Sequence, residues 1–131
     1  MTDSVARMVD IDVAADCGNV PKQAFVRDML VAGVRGDDDG VQAALEPDAT
    51  VRPAGAEPSP DHAASRLVEA MTPPGLSRIR LDTVISHGKV VVAAGALVCE
   101  GEQHEFCHVV TFSGHGKTAR VAHITLYGAW A

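Results

Sequence analysis

A chain of 131 residues, 47% of them hydrophobic and 21% charged, has the size and balance of one folded domain, neither of two nor of a disordered polymer. The formal net charge is -6 and the 11 Lys and Arg are scattered, which excludes a nucleic-acid surface, since phosphates need clustered cations. The opening MTDSVARMVDIDVAAD carries acids where a secretory signal needs an apolar core, and the longest apolar run, Val90 to Cys99, is about half a membrane span. A cytoplasmic protein that neither enters nor anchors to a membrane is expected.

Residues 1–17 read as an N-terminal extension, partly ordered at best, ahead of a single domain over 18–131. Pro21 to Val34 reads as the first helix. Proline suits a first turn, where its missing N–H would have no partner, and Phe25, Val26, Met29, Leu30, Gly33 and Val34 share one face. Gly36 stops this helix and Asp37-Asp38-Asp39 starts a short second one, because carboxylates cap free N–H groups and complement the dipole. In it Val41, Ala44 and Leu45 face inward, and Pro47 ends it. A brief strand, Ala49–Arg52, leads into the loop Pro53–Pro60. Ser59-Pro60-Asp61 then caps a third helix reaching about Met71, with Leu67, Val68 and Met71 buried.

After Pro73-Pro74-Gly75 the pattern changes to strands: Ser77–Ser86, Lys89–Cys99, Glu102–Phe112 and Ala119–Trp130, an antiparallel meander. Its turns fall at His87-Gly88, Glu100-Gly101 and Ser113–Thr118. A two-residue hairpin at Glu100-Gly101 sets Cys99 opposite Glu102, then Val98 opposite Gln103, Leu97 opposite His104, Gly95 opposite Phe106 and Ala93 opposite His108. Alternation puts Phe106, His108, Val110 and Phe112 on one face with Val91, Ala93, Gly95 and Leu97. Cys107 and Val109 share the other with Val92, Ala94, Ala96 and Val98. Both faces are apolar. One must cover the helices, and the other calls for a second subunit, so a homodimer is expected.

Cys17, Cys99 and Cys107 are odd in number and lack CxxC spacing, which reads as reduced thiols with no disulfide framework and no zinc site. His104 and His108, four apart on one strand, are roughly 13 Å from each other, too far to share a metal. No metal and no cofactor are expected. Gly114-His115-Gly116-Lys117-Thr118 holds a Gly-Lys-Thr string, but Val110 stands where a phosphate loop needs its first glycine, and a strand follows instead of a helix.

The segments PKQAFVRDMLVAGVRGD, EPDATVRPAG and FCHVVTFSGHGKTARVAHITLY, in the order helix, helix, short strand, helix and sheet, resemble nuclear transport factor 2-like, or SnoaL-like, domains. The resemblance covers roughly Gly18 to Tyr127. The closing segment is similar to the F-C-D-V-x-x-F … K-I-x-x-I-T-x-Y ending of a bacterial subgroup of unassigned function. What this implies is an α+β fold, a cone-shaped, curved antiparallel sheet wrapped around three N-terminal helices, with an interior pocket for a small apolar molecule. It implies fold more than function, because the fold hosts isomerases, cyclases, epoxide hydrolases, dehydratases and non-catalytic binders.

On that resemblance the concave face carries the site. His108 stands where several relatives place an aspartate and is the candidate catalytic acid or base, since imidazole serves either role near neutral pH. The alternative is a buried histidine bonded to a neighbour. Phe106, Ala93 and Gly95 shape the substrate pocket, the two small residues leaving space opposite His108. His104 near the mouth, Arg52 as an anion-binding group and Trp130 as a wall complete the candidate set. Steroid isomerases of this superfamily carry an aspartate base just after the first strand; here that stretch is Val51-Arg52-Pro53-Ala54-Gly55, without an acid. Limonene-epoxide-hydrolase-like enzymes need an Asp-Arg-Asp set, whereas Arg80 and Asp82 fall opposite Ile79, Leu81 and Ile85 and read as an exposed pair. His62, His87, His115 and His123 read as surface or interface groups, and Glu57 and Asp61 as rim acids. Two functions stand open: a cofactor-free isomerase, cyclase or lyase working by acid–base chemistry on an apolar oxygenated metabolite, or a non-catalytic dimer binding a ligand or a protein. A polar network joining His108 to an acid would support the first, and a dry, sealed interior the second.

Overall fold

The computed structural model describes residues 9–128. Its elements in chain order are β1 (Asp10–Val13), α1 (Pro21–Val34), α2 (Asp38–Ala44), β2 (Leu45–Pro53), α3 (Ala63–Met71), β3 (Leu76–His87), β4 (Val90–Cys99), β5 (Glu102–Phe112) and β6 (Val121–Gly128). The first helix has the expected limits, and its i, i+3, i+4 stripe of Val26, Met29, Leu30, Gly33 and Val34 is buried. The Asp37 carboxylate accepts from Gly40 N at 2.9 Å to cap α2, whose first turn carries Asp38 and Asp39. Leu45 is already extended, so it enters the core from a strand, and Pro47 lies inside β2 instead of closing the helix. α3 begins at Ala63, two residues beyond the expected cap, because Asp61 and His62 form a turn with His62 in the left-handed region.

The six strands lie in the order β1-β3-β4-β5-β6-β2. The four central strands are antiparallel, but β1 pairs parallel to β3 and β2 parallel to β6, so the sheet is mixed and not purely antiparallel. Part of the expected N-terminal extension thus supplies an edge strand, Asp10 opposite Arg78 through Val13 opposite Leu81. The helices cover one face of the open sheet. Leu30, Val41, Leu67 and Met71 meet Ile79, Leu97, Phe112 and Ile124 in a fully buried core, the source of most of the folding free energy.

The β4–β5 hairpin has the expected register throughout, from Cys99 opposite Glu102 to Ala93 opposite His108. Glu100 and Gly101, at φ 53° and 85°, form a tight turn whose twist matches that of paired strands. β3 departs from simple alternation. Between Leu81 and Thr83 the pairing with β4 slips by one residue, so Leu81 faces Gly95 and Thr83 faces Ala94. Beyond this bulge Val84 points inward at 6% exposure and Ile85 outward at 57%, the reverse of the expected grouping of Ile85 with Leu81. Gly95 makes the bulge possible. A Cβ there would run into the carbonyl oxygen of Arg80, so only glycine lets the strands approach this closely.

Candidate functional site

His108 projects from the middle of β5 onto the helix-covered face, in a row with Ala93 and Val84 on one side and Leu126 and Pro53 on the other. It is 3% exposed and is the one buried polar residue among the described residues. Phe106, two positions earlier on the same face, stacks on it with ring centroids 4.7 Å apart and planes inclined by 24°. Burial among apolar neighbours pushes the His108 pKa down to about 4, because removal from water disfavours the charged form. The ring is therefore neutral at neutral pH, with one nitrogen able to donate and the other to accept. Its Nδ1 is buried without a hydrogen-bond partner.

Beside the ring lies a cavity of about 10 Å³, bordered by Ala70, Leu97, His104, Glu105, Phe106 and Gly128. That is room for about one water. The space expected opposite His108 is otherwise filled. Ala93 is fully buried against its surroundings, and the side chain missing from Gly95 makes way for the Arg80 carbonyl, not for a ligand. His104 is half-buried at the cavity edge, with Nε2 3.9 Å from Glu102 Oε1.

The fold thus gathers His108, Phe106, His104 and Ala93, sets Gly95 opposite Phe106 but closes it against β3, and leaves Arg52 apart. Arg52 pairs with Thr125, Thr125 with Val109 and Val109 with Val92, a row on the outer face, opposite to that of His108. Its Nη1 donates to Ala56 O at 2.9 Å and braces the loop after β2. The cavity role expected of Arg52 fails because alternation in β2 points Val51 inward, where it is fully buried. Trp130 lies outside the described residues.

No carboxylate bonds to His108 among the described residues. Arg80 and Asp82 form the expected exposed pair, Nε to Oδ1 2.8 Å, and Arg80 also donates to Gln103. Cys17, Cys99 and Cys107 are free thiols; the first two are buried and the third exposed. Desolvation is the main cause raising the Cys17 and Cys99 pKa values. Among the described residues, no group of three or more His, Cys, Asp or Glu side chains could hold a metal ion, and no helix is long and apolar enough to cross a membrane.

The outer face carries a feature that sequence reasoning missed, a shallow groove of about 440 Å³ bordered by Thr83, Ala94, Cys107 and Tyr127 with Asp82 and Glu105. Tyr127 is 46% exposed there, next to Cys107 in the pairing of β5 with β6. The signal was present: a tyrosine alternating with buried Leu126 has to face outward.

No protein-family model matches the chain, and no curated protein does. Solved structures do. A nuclear transport factor 2-like protein of unknown function from Burkholderia xenovorans aligns with TM-score 0.65 and 14% identity over 82% of this chain and 82% of that one. A second such protein, from Burkholderia pseudomallei, aligns with TM-score 0.59 and 22% identity over 85% of this chain and 92% of its own. A steroid delta-isomerase from Pseudomonas aeruginosa aligns with TM-score 0.64 and 16% identity over 84% and 80%. At such identities the likeness shows the fold alone: three helices against an open sheet, the nuclear transport factor 2-like α+β cone.

Proposed function

We propose that this nuclear transport factor 2-like domain binds a small, mostly apolar molecule that presents one oxygen function to the neutral imidazole of His108. The observation that carries the reading is the buried, unpartnered Nδ1 of His108 beside a cavity. A polar atom left unpaired in the interior costs about 1–3 kcal/mol, and a hydroxyl or carbonyl delivered by a ligand recovers that cost. Phe106 supplies an aromatic wall and His104 a second polar group at the edge. A ligand larger than water needs the borders of the cavity, among them Ala70 of α3 and Gly128 at the end of β6, to part.

Binding, not acid–base catalysis, is the first reading because no carboxylate orients or charges the ring. An imidazole with a pKa near 4 is also a weak base at neutral pH. The second reading is a cofactor-free isomerase, cyclase or lyase acting on an apolar oxygenated metabolite, with His108 as its acid–base group. It draws on the shared fold of the steroid delta-isomerase. The proposal takes the molecule as a cytoplasmic homodimer joined through the apolar outer face, with no cofactor and no nucleic acid.

The test is a thermal-shift screen of small apolar ketones and alcohols on the wild-type chain and on His108→Phe, which keeps the stack on Phe106 and removes both ring nitrogens. Hits that stabilise the wild type should lose that effect in the variant. Equal stabilisation of both proteins would remove His108 from the site and end this reading.

A further inference from the structure

All three lysines of the chain, Lys22, Lys89 and Lys117, gather at one end of the fold. Lys22 opens α1 and donates through Nζ to the carbonyls of His115 and Gly116 at 3.1 and 3.3 Å, which brings the β5–β6 loop, and Lys117 with it, against the helix start. Lys89 joins them through the sheet, its carbonyl accepting from Phe112 N at 2.8 Å. None of the three ammonium groups lies within 4.0 Å of a carboxylate among the described residues. The carboxylate bonded to this loop, Glu46, accepts from Ser113 Oγ at 2.7 Å and does not border the space between the lysines. A chain of net charge -6 thus keeps three lysines at one end with no carboxylate in contact with any of them among the described residues, an arrangement that favours an anion between them.

Between α1 and the loop lies a crevice of about 310 Å³. Its floor is aromatic. Phe25 and Phe112 meet edge to face with centroids 5.4 Å apart, and Ala119 and Pro21 extend the apolar wall. Its rim carries the two lysines Lys22 and Lys117, with His115 between them in the lining. Lys22 sits 5.1 Å from the Phe112 centroid and uses two of its three donors on backbone carbonyls, leaving one to offer. An apolar body with few convergent polar groups is the usual make-up of a small-molecule site.

We propose that this crevice binds a soluble aromatic carboxylate, its ring on Phe25 and Ala119 and its anionic group between Lys117 and Lys22. The volume accommodates one or two fused rings, and the rim offers donors for a single anionic group. A polyphosphate is a poorer fit because the floor of the crevice, Phe25, Phe112 and Ala119, is apolar and offers it no polar partner. The site stands apart from His108. Phe112 is four residues further along β5, roughly 13 Å away on an extended strand.

The test uses 2-naphthoate as probe and 2-naphthylmethanol as its neutral counterpart, with calorimetry for affinity and amide shifts for location. Naphthoate should bind with shifts at Lys22 and across His115 to Ala119, and the alcohol about tenfold more weakly. Lys117→Gln and Lys117→Glu should weaken naphthoate progressively, by about tenfold for the reversal, with melting temperatures unchanged because the loop is exposed. His108→Phe should leave naphthoate affinity as it was. Equal affinity for the two probes, indifference to both Lys117 changes, shifts centred on His104 and His108, or no binding of naphthoate would each overturn the proposal. None of these outcomes bears on the ketone and alcohol response assigned to His108.

Discussion

His108 and Phe106 form a stack, 4.7 Å between ring centroids, in which the imidazole is held neutral by apolar surroundings that also leave its Nδ1 without a hydrogen bond. Its pKa near 4 sets a pH dependence with a definite sign. Above the ordinary histidine value near 6.5 the ring is neutral in both folded and unfolded chains. Between about 6.5 and 4 only the unfolded chain takes up the proton, so stability falls as pH falls, by about 3 kcal/mol in all, and this contribution is lost completely once pH passes below the folded value. Urea unfolding followed from neutral pH to about 4 should show this slope in the wild type and lack it in His108→Phe. The same slope in both proteins would mean that His108 is not the buried titrating group.

Gly95→Ala should cost about 3 kcal/mol or more, because the added methyl meets the Arg80 carbonyl and forces the β3 bulge apart. The check is the urea midpoint of the variant together with amide exchange across Leu81 to Val84. A loss below about 1 kcal/mol would show that the strand relaxes at little cost and that the bulge does not depend on glycine.

Val109→Lys should convert a homodimer into a monomer, since an unpaired ammonium in an apolar interface is costly. Light scattering at micromolar concentration reads the state directly. A wild-type protein that is monomeric there removes the outer face as a dimer contact.

Chelator and reductant should both leave the melting temperature unchanged, because the fold as described uses free thiols and a packed apolar core. A drop with chelator would expose a metal dependence, and a drop with reductant a disulfide.

The parts of the fold that were legible are those fixed by local chemistry. Glu100-Gly101 set ten paired positions because two residues able to adopt positive φ determine a hairpin's register. α1 was legible from its proline start and its stripe. What was not legible depends on contacts distant in sequence. Gly95 read as empty space in a pocket, whereas it serves the backbone of β3, and without that contact Ile85 could not be turned outward on paper. The glycine inside an apolar strand was itself the available signal for a bulge. Asp10-Ile11-Asp12-Val13 alternates as a strand does, but four residues are too few to separate a strand from a loop until Arg78 to Leu81 is there to pair with them. The register placed His108, Phe106, His104 and Ala93 on one face of the sheet. Arg52 lies on the outer face because its strand neighbour Val51 points into the core, a choice of face that the sequence of β2 does not make by itself.

β1 has a further consequence. Its four residues shield Arg78 to Leu81 in the first half of β3, which otherwise would end the sheet with bare N–H and C=O groups, and its outward side chains are the exposed Asp10 and Asp12. A second sheet approaching this border meets two carboxylates on a strand too short to template more than a few bonds, so stacking of copies edge to edge is repelled before it can start. Trimming the chain back past Val13 would strip this protection from Arg78 to Leu81 together with the contacts of Ile11 and Val13 on the core.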